Sequence, residues 1–437
     1  MELIINPPRG AWAALVERNI PDDAAIESRV ADIVERVRRE GDAGLRALAR
    51  EIDGADVGAL EVSSEEIEAA CRVVPEATKK AVRVAAENIA AFHEAQRNSP
   101  VEVETRPGVR CVQRAVPIRR VGLYIPGGRA PLFSTVLMLA LPARIAGCPE
   151  VVLCTPQGRS GQIAPEIVYA AKTCGVAKIF RVGGAQAVAA MAYGTESVPR
   201  VDKIFGPGNR YVTKAKQLVS RHVAIDMPAG PSEVLVMADA TARPSFVAAD
   251  LLSQAEHGPD SQAILVCDDE VLARAVAAEV ERQAACLPRR ESVAGSLSHS
   301  RIVVLGSREE MTDFANTYAA EHLIIAMADP WAVAERITAA GSVFVGHFSP
   351  ESAGDYASGT NHTLPTGGWA RSLPGVNLDS FLHKITYQEL TPAGLRLLAP
   401  AIETLARAEG LDAHAAAVAV RLAAENGDGR DERPYPS

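Results

Sequence analysis

From Val121 onward, short β-branched runs alternate with helical stretches, and this alternation constrains the fold more than any other feature. Residues 121–125, 151–154, 178–180 and 202–205 read as strands, most of them running into a glycine-containing turn. A second series follows at 233–236, 262–266, 301–305, 322–325 and 342–345, with helical patterns over 244–256, 270–286 and 331–340 in the gaps. Strands joined by helices must run parallel, and their near-continuous apolar character asks for cover on both faces. The pattern predicts an α/β fold with two largely parallel units, joined near the Pro/Gly-rich stretch 227–232. Before this region the chain reads as helical, over 24–39 and 64–96 with a break near Pro75. After Leu378 helices return, at 392–407 with a break at Pro400 and at 413–424. Residues 425–437 read as a disordered tail.

The chain has 437 residues, enough for two or more packed units. Its 48% apolar and 23% charged residues match a soluble globular protein. A formal net charge of −9 argues against a general binder of nucleic acid or anionic membrane, which would need a basic face. No apolar run is long enough for a membrane span, and residues 1–10 lack the layout of a secretory signal. Seven scattered cysteines fit reduced thiols in a cytoplasm better than a disulfide frame.

Residues 351–362 are dense in chemistry: two carboxylates, a histidine, an amide and several hydroxyls among small residues. So many polar groups do not suit an ordinary core element, and the stretch reads as a ligand-facing loop. Asp355 offers a hard oxygen ligand, and His362 follows seven residues later. Gln254 and His257 stand three apart near a helix end, so they share a face. That face suits a metal, or simply a solvent-facing amide and a histidine favoured at a helix C-terminus. Nitrogen and oxygen ligands without cysteine favour Zn²⁺ over Mn²⁺ or Co²⁺. His414 is a further candidate ligand, though spacing alone does not select it over Glu403 or Glu409. Glu321-His322 lies at a helix-to-strand turn that can present both side chains together, an arrangement suited to two proton transfers. The alternative is a surface acid beside a half-buried histidine. Glycine turns at 126–128, 183–184 and 206–209 follow strand-like runs and suit phosphate, but none carries the spaced three-glycine dinucleotide fingerprint.

These residues fall into ordered segments that resemble the histidinol dehydrogenase family over nearly the whole chain. The matching segments are 121–128, 182–186, 205–209, 225–234, 251–260, 321–323 and 351–362. The resemblance implies oxidation of L-histidinol through L-histidinaldehyde to L-histidine with two NAD⁺, at the end of histidine biosynthesis. It implies Zn²⁺ held by Gln254, His257, Asp355 and His414, the last supplied across a homodimer with Glu409 beside it. Glu321 and His322 are then the acid/base pair. Substrate would touch Ser232, Gln254, His257, His322, Asp355, His362, Glu409 and His414, while Tyr124, Gln186 and Asn209 would line the NAD⁺ site. The implied architecture is two incomplete Rossmann-like, aldehyde-dehydrogenase-like α/β units. One spans 20–118 plus 232–377, the inserted one spans 119–231, and terminal arms 1–19 and 378–437 exchange in the dimer. One departure is visible: Ala320 stands where proline is common in the family, which gives that turn more freedom. The main alternative is a dehydrogenase of the same family acting on another small polar alcohol.

Overall fold

The valine- and isoleucine-rich runs form two parallel sheets in a computed structural model that describes residues 1–18, 24–127, 131–158, 161–228 and 230–425. The larger sheet has six strands in the order Glu2–Ile5, Arg301–Val304, Gln262–Cys267, Glu233–Ala238, His322–Ala326 and Ser342–Val345, every neighbouring pair parallel. All residues of Glu233–Ala238 and Gln262–Cys267 are buried, as expected where helices cover both faces. His322 aligns with Val234 on one side and Ser342 on the other, so it opens its strand at the amino edge of the sheet.

The smaller sheet has five parallel strands in the order Lys178–Arg181, Glu150–Thr155, Arg120–Tyr124, Lys203–Phe205 and Ala224–Ile225. The chain starts at the middle strand, moves outward on one side, then crosses to the other. The strand order therefore reverses between Arg120–Tyr124 and Lys203–Phe205, which creates a crevice at their carboxyl ends.

The chain divides into two compact units, one of residues 1–96 and 118–381 holding both parallel sheets, the other of residues 97–117 and 382 onward. The second unit has a three-stranded antiparallel sheet, Leu382–Leu390 against Val109–Pro117 against Val101–Arg106, and the helices Pro392–Ala408 and Asp412–Glu425. None of its three strands was foreseen: almost every residue of the outer two is exposed, and their apolar alternation, Val101 with Val103 and Ile385 with Tyr387, is only two residues long.

Four other expectations need correction. Pro400 does not break its helix: Pro392–Ala408 is continuous, and burial of Ala399 and Ala406 outweighs the one backbone bond a proline removes. The helix expected over 331–340 is only Pro330–Ala334, because the next amides close short turns and Thr338 N–H donates to Asn316 Oδ1 instead. The helical first region opens with the strand Glu2–Ile5. Residues 351–362 are not wholly a loop, since Glu351–Tyr356 is a short helix. The expectation of a disordered tail falls outside the described residues from 426 on. Among the described residues, no helix is long and apolar enough to cross a membrane.

Candidate functional site

The helix Arg308–Tyr318 stops at Ala319, which takes a left-handed conformation (φ 54°) rare for a residue with a side chain. Backbone bonds from Gly341 N–H to Ala320 O and from Ser342 N–H to Glu321 O then seat the chain in the sheet. This turn brings the neighbouring side chains of Glu321 and His322 together, with Nδ1 3.7 Å from Glu321 Oε2. Both are buried. The backbone of Glu233, on the adjacent strand, serves both: its N–H donates to Glu321 Oε2 at 2.9 Å, and its carbonyl oxygen lies 3.2 Å from His322 Nδ1.

The short helix Glu351–Tyr356 adds two more carboxylates. Residues four apart share a helix face, so Glu351 and Asp355 point the same way. Glu351 Oε1 lies 3.7 Å from His322 Nδ1, and Asp355 Oδ1 lies 3.6 Å from Nε2. The helix can approach because Gly354 has no side chain; a Cβ there would come 2.7 Å from the Phe344 ring. Reading this segment as a loop hid the shared face, and with it the role of Glu351 as a member of the metal-facing cluster. The i, i+4 spacing was the signal.

Gln254 and His257 come from a helix that packs beside Glu351–Tyr356. The helix Pro244–Ala255 follows the strand Glu233–Ala238 and runs back toward the amino edge, so its end delivers both residues to the cluster. With its amide oriented to suit its neighbours, the buried Gln254 donates to Glu351 Oε1 at 2.9 Å. One ligand atom each from His257, Glu351 and Asp355 lie within 4.8 Å of one another. One nitrogen and two oxygen donors beside an amide make a donor set that fits a divalent cation such as Zn²⁺. The charge balance agrees. Burial pushes Glu351 up to about 8 and Glu321 up to about 7, each only partly offset by His322. Burial opposes a charged His322, yet Glu351, Glu321 and Asp355 together lift it to about 10. Burial also presses on Asp355, but its contact with His322 holds it below the usual range. Among the described residues, His322 Nε2 is buried without a hydrogen-bond partner.

His362 ties this cluster to the other sheet. Its Nδ1 meets the Asp355 carbonyl at 2.8 Å, and its Nε2 meets Thr135 Oγ1 at 3.0 Å, on the helix Phe133–Ala146. Next to it, Asn361 Nδ2 donates to Met138 O at 2.6 Å. Both ring nitrogens of His362 are thus occupied. Ser232 is half-buried directly before Glu233, and its carbonyl accepts from Gln262 N–H. Glu409 and His414 are exposed residues of the second unit, at the end of Pro392–Ala408 and within Asp412–Glu425.

The candidate cofactor residues gather around the crevice of the five-stranded sheet. Tyr124 ends the central strand, buried, and its hydroxyl accepts from Gly184 N–H at 3.1 Å. Burial pushes it up to about 12. Gln186 Nε2 donates to Asp53 Oδ2 at 3.3 Å. Asn209 caps the helix Arg210–Val219, accepting from Tyr211 and Val212 N–H. Between Tyr124 and Asn209, Gly206 sits at φ 127°, where a Cβ would come 2.0 Å from Tyr124 O. Only glycine allows the two strand ends to meet so closely. A crevice at a reversal of strand order, with glycine allowing close approach of backbone, is where open α/β sheets hold ligands such as dinucleotides.

Comparison with known proteins extends these findings. Residues 16–422 match the family model described as histidinol dehydrogenase. A histidinol dehydrogenase of Bacteroides thetaiotaomicron is 56% identical over 423 residues, covering 97% of this chain and 99% of its own. One of Escherichia coli is 54% identical over 411 residues, covering 93% and 94%. The crystal structure of histidinol dehydrogenase from Elizabethkingia anophelis superposes with a TM-score of 0.95 at 50% identity, covering 98% of this chain and 99% of that one.

Proposed function

The chain belongs to the histidinol dehydrogenase family, and from that premise we propose that it oxidises L-histidinol through L-histidinaldehyde to L-histidine, using Zn²⁺ and two NAD⁺. The observation that carries this reading is the convergence of Gln254, His257, Glu351 and Asp355 on the buried Glu321–His322 pair. Gln254, His257 and Asp355 would hold the metal together with His414 of the partner subunit in a homodimer. The ion would fix the imidazole and amino nitrogens of the substrate without changing oxidation state, while NAD⁺ would receive one hydride at each oxidation.

The chain's own residues then divide the work. His322 Nε2, freed of its proton where a bound cation would offset Glu351 and Asp355, accepts the hydroxyl proton of histidinol as the carbinol C–H bond breaks toward the cofactor side. Glu321, whose pKa burial raises to about 7, takes a proton from the water that adds to the aldehyde carbon, while His322 returns its proton to the aldehyde oxygen to complete the hydrate. His322 accepts a second hydroxyl proton, from the resulting hydrate, as the second hydride departs. His362, Ser232 and the partner subunit's Glu409 line the substrate. The burial of Glu321, His322 and Glu351 would keep the reactive aldehyde from bulk water between steps. Tyr124, Gln186 and Asn209 line the cofactor crevice, and the seven free thiols suit a reducing cytoplasm.

The test is stoichiometry. Two NADH formed per histidinol consumed, with histidine as the product, supports the reading. One NADH with accumulating aldehyde, or no NADH at all, contradicts it.

A further inference from the structure

We propose that Glu233, clamped by Arg18, is the positioning residue for the Glu321–His322 pair. The inference rests on the acid/base reading above and adds what holds that pair in register. A single peptide group meets both side chains, the N–H of Glu233 at Glu321 and its carbonyl oxygen at His322 Nδ1. A small rotation of that peptide would displace the acid and the base together.

The Glu233 side chain prevents the rotation. Its carboxylate is only 2% exposed, yet it starts a strand of otherwise apolar residues. Arg18 grips it with two parallel bonds, Nε to Oε1 at 2.9 Å and Nη2 to Oε2 at 2.8 Å. Gly367 N–H donates to Oε1 as well. Arg18 Nη2 also donates to Tyr318 O at 2.6 Å, and its guanidinium lies 4.2 Å from the Tyr318 ring centroid. Tyr318 is fully buried and ends the helix that leads into Glu321. Its hydroxyl donates to Gln262 Oε1 at 2.8 Å, and Gln262 Nε2 donates back to Glu17 O at 3.1 Å, beside Arg18. The contacts form a closed ring around one peptide.

Stability alone does not call for a charged pair here. Burying two ions costs desolvation that their attraction often fails to exceed, and apolar residues of similar volume usually serve as well. A bidentate fork supplies orientation instead. It also sets the histidine. A proton on Nδ1, donated to the Glu233 carbonyl, leaves Nε2 as the basic nitrogen facing Asp355. Gln254 cannot then donate to Nδ1, and its bond to Glu351 satisfies its amide instead.

The decisive variant is Arg18→Met with Glu233→Met, which removes the clamp without stranding a buried charge. Wild-type protein and His322→Ala are assayed first; an inactive wild type would refute the reaction, not the clamp. With wild type active, the double variant is expected to melt near the wild-type temperature. Its kcat should fall ~10- to 100-fold, with KM for histidinol and NAD⁺ little changed. Arg18→Lys, which keeps the charge but loses the fork, should fall in between. A folded double variant with wild-type kcat overturns the proposal, as does a loss expressed in KM alone. Should the double variant fail to fold, Arg18→Lys measured well below its melting temperature decides in the same way: lowered kcat supports the clamp and unchanged kcat overturns it.

Discussion

The two parallel sheets carry their candidate sites at opposite ends. In the five-stranded sheet the crevice lies at the carboxyl ends of Arg120–Tyr124 and Lys203–Phe205, where ligands of open α/β sheets are expected. In the six-stranded sheet Glu233 and His322 open their strands, so the cluster lies at the amino edge. The first site is built from backbone turns and glycine, and its buried charge is a neutralised pair, Lys216 with Asp226, that holds the Gly206 backbone from both sides. The second gathers a histidine and three carboxylates beneath the surface, where burial raises Glu321 and Glu351 while mutual charge raises His322 and lowers Asp355. On the proposed function, the contrast separates holding a cofactor from moving protons.

Substitutions on the two sides should therefore fail differently. The largest effect is expected for His322→Ala, with kcat down by ~10²- to 10⁴-fold in both oxidations while NAD⁺ affinity is preserved, checked by steady-state kinetics and titration of cofactor binding. A parallel loss of cofactor affinity would erase the division between the sheets. Next comes Glu351→Ala, which removes the partner of the Gln254 amide and one member of the cation-facing trio. Zinc affinity, measured by competition with a chelator, should weaken ~10- to 100-fold. Unchanged affinity would reduce Glu351 to a bystander.

Gly206→Ala probes the other sheet. The added Cβ has no room against Tyr124 O, so stability should drop by about 1–3 kcal/mol and KM for NAD⁺ should rise with kcat largely kept. A fall in kcat alone would contradict the assignment of that crevice. The smallest effect concerns Asp250, one helical turn before Gln254, whose carboxyl burial pushes up to about 7. Folding thus favours its protonated form. That contribution is complete below the unfolded pKa near 4 and is lost as pH rises through 7. Asp250→Asn should therefore gain stability over wild type between pH 5 and pH 8, by about 1–2 kcal/mol in denaturant titrations. A pH-independent difference would refute this.

The parallel sheets were legible because buried strands write themselves as apolar runs, and all nine expected strands lie within one or two residues of where the pattern put them. The strands Val101–Arg106 and Leu382–Leu390 were not, because a strand exposed along its length carries no such signature. Within the site, Gln254, His257, Glu321, His322 and Asp355 stood out in the sequence by spacing and by family resemblance. Glu233 did not. Its carboxylate looks like any strand-opening acid until Arg18, 215 positions away, is found on it. Glu351 was obscured for a local reason: a glycine and two serines near it suggested a loop, while Gly354 in fact admits a helix against Phe344.

The proposed chemistry depends on one shared cation at the amino edge of the six-stranded sheet. An anomalous-scattering map of zinc-loaded crystals measures this directly. The expected result is a single peak about 2.0–2.2 Å from Gln254 Oε1, a His257 ring nitrogen and an Asp355 carboxylate oxygen. A peak elsewhere, or those three side chains ordered around no metal, would contradict it.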